Sequence, residues 1–99
     1  MKPFDWNPEK NLKLMSERGI SFEDVVIAVD ESRVLDSITH PDPKRYPGQK
    51  LMIVEIRSYA CAVPYVEDDE KVFLKTVIPS RKYTKRYLAG DNKPLAPTP

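Results

Sequence analysis

A chain of 99 residues holds one modest hydrophobic core and not two, so a single domain is expected. Apolar residues at 40% and charged residues at 31% place it among ordinary folded proteins and exclude wholesale disorder. The formal net charge is only +1, so a nucleic-acid reading has to rest on local patches and not on a global basic footprint. The first residues, Met1 to Trp6, contain no apolar leader, and about 18 consecutive apolar residues occur nowhere, so a cytoplasmic protein with no place in the membrane is expected. Trp6, close to Phe4, reads as an anchor for the first helix. That helix starts at Asn7-Pro-Glu9, with Asn as N-cap, Pro in the first turn and an acid beside it. Leu12, Met15 and Leu14 supply its expected apolar stripe, and Gly19 closes it. Ser21 and Asp24 bracket the start of a second helix carrying Val25, Val26, Ala28 and Val29.

From Arg33 the apolar period changes to two, through Val34 and Ile38, which predicts a strand. A Pro-rich loop follows from His40 to Gly48 and carries Lys44 and Arg45. The next strand places Met52, Val54 and Ile56 on one face and Glu55 and Arg57 on the other. A tight turn near Ser58 and Tyr59 leads to a strand over Ala60 to Val66, in which Pro64 cannot donate to a neighbour, so a bulge or an edge is expected there. Cys61 is the lone cysteine, which excludes an internal disulfide, and its apolar flanks predict a buried, inert thiol. Glu67 to Glu70 turn the chain, and Lys71 to Ile78 form the last expected strand. Ser80 then caps a short helix with four cations in six residues, Arg81, Lys82, Lys85 and Arg86. The expected architecture is α+β: two N-terminal helices, an antiparallel meander of about four strands and a short C-terminal helix, with helices from both ends of the chain on one face of the sheet. Residues 1–88 form this domain, and the Pro-rich residues 89–99 are expected to be a flexible tail.

The basic helix is the feature that asks for a function. Cations at a helix N-terminus oppose the dipole, and the four-apart pairs Arg81/Lys85 and Lys82/Arg86 repel each other. A bound anion would offset both effects, whereas a solvated basic face is the plainer alternative. Lys75 interrupts an otherwise apolar strand and reads either as a snorkelling lysine or, with Arg57 and Arg81, as part of a cationic sheet face for an RNA backbone. Tyr83 and Tyr87 either pack the helix or offer Tyr83 as a ring for base stacking. His40, the single histidine, is the one imidazole on which a base-dependent mechanism could draw, the alternative being an ordinary surface residue. No glycine-rich phosphate loop, Cys-x-x-Cys or His-Glu-x-x-His motif is present, so neither a cofactor nor a metal site is expected.

Three segments together carry a resemblance: Phe4-Asp-Trp-Asn-Pro-Glu-Lys10, Glu17-Arg-Gly-Ile-Ser-Phe-Glu-Asp-Val25, and Lys75-Thr-Val-Ile-Pro-Ser-Arg-Lys82 ahead of a Tyr-terminated basic helix. In combination, over residues 4 to 88, the chain resembles the BrnT-like toxins of bacterial type II toxin–antitoxin systems, and the second segment also resembles a related domain family of unknown function. The resemblance implies a RelE-like fold, metal-independent endoribonuclease activity, and neutralisation by a small antitoxin encoded beside it, in a homodimer or a hetero-oligomer with that antitoxin. Carried onto this chain, it implies catalytic roles for Lys75, Arg81 and Lys82, with His40 as the added candidate. Arg57, Lys85, Arg86, Tyr83, Lys44 and Arg45 are the expected RNA contacts. The alternative is a non-enzymatic basic module that binds RNA or an acidic protein.

Overall fold

The computed structural model describes residues 2–88, in the order β1 (Phe4–Asp5), α1 (Pro8–Arg18), α2 (Phe22–Asp30), β2 (Val34–Thr39), β3 (Lys50–Ile56), β4 (Tyr59–Glu67), β5 (Val72–Leu74), β6 (Ile78–Pro79) and α3 (Arg81–Tyr87). The Pro-rich segment 89–99 lies outside the described residues. The α+β class, the helical pair at the start and the helix at the end are as expected. The strands number six instead of four, because the ends of β1 and β6 add short rungs that period-two patterning is too brief to reveal.

Both N-terminal helices form for the reasons their caps give. The Asn7 Oδ1 atom accepts the Glu9 and Lys10 N–H groups at 2.8 and 3.2 Å, and Gly19, at φ +67°, ends α1 in a left-handed turn that glycine adopts without strain. Ser21 and Asp24 form a reciprocal capping box at α2. The apolar stripe of α1 differs from expectation: Leu14 is buried with Asn11, while Leu12 and Met15 are 63% and 45% exposed. Asn11 takes the core-facing position because it bridges the helices. Its Oδ1 accepts the buried Phe22 N–H at 2.7 Å, and its Nδ2 donates to Glu23 at 2.8 Å.

The sheet order is β1-β5-β4-β3-β2, with β6 also paired to β4. All pairings are antiparallel except β1 with β5, so the sheet is mixed. The expected last strand breaks into β5 and β6, and Pro64 explains the break. Its carbonyl accepts the Lys75 N–H at 2.8 Å, so this edge of β4 faces β5 and β6. In an antiparallel strand the missing Pro64 donor lies on that same side. The neighbouring strand is interrupted opposite it, and pairing with β3 is preserved through Leu51.

The helices pack on opposite faces, not on one. Leu14, Phe22 and Val25 cover Met52, Val54, Ile56, Cys61 and Val63, whereas Tyr83 covers Leu51, Ile53, Ala60 and Ala62. Successive strand residues point to opposite faces, so β3 and β4 are buried on both sides, which a sequence alternating only Glu55 and Arg57 against apolar residues did not announce. Trp6 stacks on Phe22 at 5.5 Å and ties the N-terminus to α2, the anchoring role its size predicts.

Candidate nucleic-acid interface

Backbone and hydroxyl bonds sew α3 to the start of β4. Ser80 donates its N–H to the Ala60 carbonyl at 2.9 Å, and its Oγ accepts the Tyr83 N–H at 3.1 Å. The Thr84 hydroxyl donates to the Ser80 carbonyl at 2.7 Å and accepts the Ala60 N–H at 2.9 Å. At seven residues, α3 is barely two turns, and its last turn carries Lys85 and Arg86, where cations suit the dipole. The anion site expected at its N-terminus therefore loses much of its basis, since α3 is only about 10 Å long and the Ser80 side chain already takes the Tyr83 N–H. What remains is an exposed helix surface bearing Arg81, Lys82, Lys85 and Arg86 and no acidic residue.

The two tyrosines hold that surface in place. Tyr83 is only 8% exposed, inside the core beneath α3, so its ring is unavailable as a base-stacking platform. Tyr87 packs against the same core and donates its hydroxyl proton to Asp36 Oδ2 at 2.6 Å. This bond holds the Asp36 carboxyl below its usual range and, with burial, pushes the Tyr87 phenol up. The Lys82 ammonium lies 5.3 Å from the Tyr83 ring centre and the Arg86 guanidinium 5.8 Å from that of Tyr87. The buried Tyr83 ring and the half-buried Tyr87 ring thus lie beside two of the four exposed cations.

Lys75 leaves the sheet at the level of Pro64, while α3 begins at the level of Ala60. Four residues of β4 separate them, about 13 Å at strand rise. Lys75, Arg81 and Lys82 therefore line one route but do not converge on one phosphorus atom. Arg57 is not on a strand face at all. With Ser58 it forms the β3–β4 turn, both at positive φ, and its guanidinium donates to the Gly19 carbonyl and pairs with Asp24 at 3.6 Å, on the α1–α2 side of the sheet. The sequence pattern put Arg57 out of phase because the strand stops one residue earlier than its alternation.

His40 stands past the far end of β2, where Thr39 aligns with Lys50 and Lys50 with Tyr65. Five residues of β4, about 16 Å, separate that level from the start of α3. Its ring lies on Tyr46 at 4.4 Å, and its Nδ1 accepts the Asp42 N–H at 3.1 Å. These contacts shape the Pro-rich loop, in which the Arg45 guanidinium also lies over Tyr46, at 5.7 Å, and Lys44 is exposed. His40, Lys44 and Arg45 form a separate loop cluster, away from the α3 cations.

Sequence reasoning missed Phe73. It pairs with Val66, which shares the face of Ala60 and Ala62 by alternation, so Phe73 points to the α3 side. The spacing Lys71-Val-Phe73-Leu-Lys75 was readable as one face of a strand. Cys61 is 1% exposed and burial pushes its thiol up to about 11, so it is a neutral core residue. Among the described residues, no three His, Cys, Asp or Glu side chains gather as a metal-holding group, and no helix is long and apolar enough to cross a membrane. A groove of about 490 Å³ between β1 and α2, lined by Phe4, Trp6, Val26 and Val29 with Lys2 and Asp30, includes neither Lys75 nor any α3 cation. No family model matches the chain, and no curated protein matches it.

Proposed function

We propose that this protein acts on RNA as the toxin of a type II toxin–antitoxin pair, with the α3 side of the sheet as its RNA-contacting surface. The observation that carries the reading is the exposed row of Arg81, Lys82, Lys85 and Arg86 on a helix with no acid of its own, continued by Lys75 along the same route. The resemblance of the N-terminal and Lys75 to Lys82 segments to BrnT-like toxins supplies the class of activity. In that chemistry the RNA 2′-oxygen attacks the adjacent phosphorus and loses its proton to solvent. The bond to the 5′-oxygen breaks, that oxygen takes up a proton, and a cyclic phosphate remains. Cations contribute by holding the phosphate and stabilising its added charge.

A second reading, an RNA-binding module that does not cut, is favoured by the spacing of Lys75 from Arg81 and by the remoteness of His40. Induction of the chain alone in a bacterial host separates the two. Growth arrest with new RNA fragments, both absent from an Arg81→Ala/Lys82→Ala variant, is the expected result. Unimpaired growth with folded protein and intact RNA would transfer the case to the binding module.

A further inference from the structure

Phe73 is a half-buried aromatic that belongs to neither hydrophobic core, although Val72 and Leu74 on either side of it are both buried in the α1–α2 core. Its ring has cations for neighbours instead: the Lys71 ammonium at 5.9 Å and the Lys75 ammonium at 5.6 Å from the ring centre. The two lysines are not equivalent. Lys71 is held by Asp5 at 3.0 Å, while Lys75 is exposed and has no anionic partner among the described residues. The short α3 helix covers Ala60 and Ala62 and leaves this end of the face beside β5 to Phe73.

We infer that Phe73 is a stacking platform for one base of a single-stranded RNA, with Lys75 swinging from the ring to the adjoining phosphate. The inference rests on the RNA reading proposed above and deepens it by naming the substrate as a single strand. Stacking of a base on an aromatic ring is worth more than an exposed lysine over the same ring, so the base displaces Lys75 and not the reverse. Lys71, tied to Asp5, stays beside the ring as a fixed cation. A duplex has no unstacked base to offer, and its rigid backbone cannot place one on a strand residue. An acidic protein would be drawn by the same cations but would not quench a base analogue on the ring.

The test is equilibrium binding of the full chain to an RNA of about eight nucleotides carrying one fluorescent purine analogue, against the same sequence as a duplex. Tight single-strand binding with quenching of the analogue is expected. Phe73→Leu should weaken it about tenfold and abolish the quenching, and Phe73→Trp should retain both. Circular dichroism of each variant checks that it is folded. If wild type and Phe73→Leu bind and quench alike, the stacking role is overturned while the RNA reading survives. If wild type binds no RNA of either form, both fall. Equal binding of duplex and single strand, insensitive to either variant, also overturns the inference.

Discussion

Arg57 and Ser58 hold the β3–β4 corner with φ of +53° and +65°, the left-handed pair that a two-residue hairpin turn demands and that Asn-Gly satisfies best. A side chain in that region costs energy that glycine does not pay, so Ser58→Gly should raise stability by roughly 0.5–1 kcal/mol in urea denaturation. Arg57→Gly should gain less, because it also gives up the contacts to the Gly19 carbonyl and Asp24. A second residue-scale consequence concerns the Tyr87–Asp36 bond. The Asp36 carboxyl is held below its ordinary 3.8, so its contribution is present above that value and is lost as pH falls through the lowered one. The Tyr87 phenol is raised above its ordinary 10.0, so the same bond is intact below that value and is lost as pH rises through the raised one. The protection of α3 amides, the slowing of their exchange relative to an unstructured peptide at the same pH, should therefore be greatest between these limits and fall beyond both. In Tyr87→Phe both contributions disappear, and α3 should exchange faster at neutral pH.

At the scale of elements, the joint between α1 and α2 depends on one polar side chain. Removing Asn11 leaves the buried Phe22 N–H without an acceptor, so Asn11→Ala should cost about 1–3 kcal/mol, read from denaturation midpoints. Helix ends were legible in the sequence because capping is local chemistry: Asn7, Gly19, Ser21 and Asp24 each act on backbone groups within a few residues. Pairing across the sheet was less legible because it is set by residues far apart in the chain. Pro64 was readable as an awkward strand residue, but that it would split its neighbour into β5 and β6 depended on which strand lay on its donor side. The candidate surface divided in the same way. The α3 cations were evident as a run, whereas the burial of Tyr83 and the isolation of Phe73 from both cores follow from α3 crossing to the opposite face, and the withdrawal of Arg57 follows from where the β3–β4 turn begins.

For the whole molecule, near-neutral charge and a cationic binding face are compatible because the charges are segregated. Near the β1 edge Glu67 is paired with Lys2 and Asp5 with Lys71, whereas Lys75 and the four α3 cations have no such carboxylate partner among the described residues and can meet a polyanion. If all five meet a single-stranded backbone, the logarithm of the binding constant should fall with the logarithm of salt concentration with a slope of about −3.5, since each phosphate contributes about −0.7. Lys82→Ala should reduce that slope by about 0.7 and weaken binding to every sequence alike. Lys44→Ala/Arg45→Ala, in the loop with His40 at the far end of β2, should leave the slope unchanged. A slope that responds equally to both variants would mean that RNA wraps past the sheet to the Pro-rich loop. A slope near −0.7 in the wild type would mean that the cations serve one phosphate, which would require Lys75 to leave Phe73 and reach toward the start of α3.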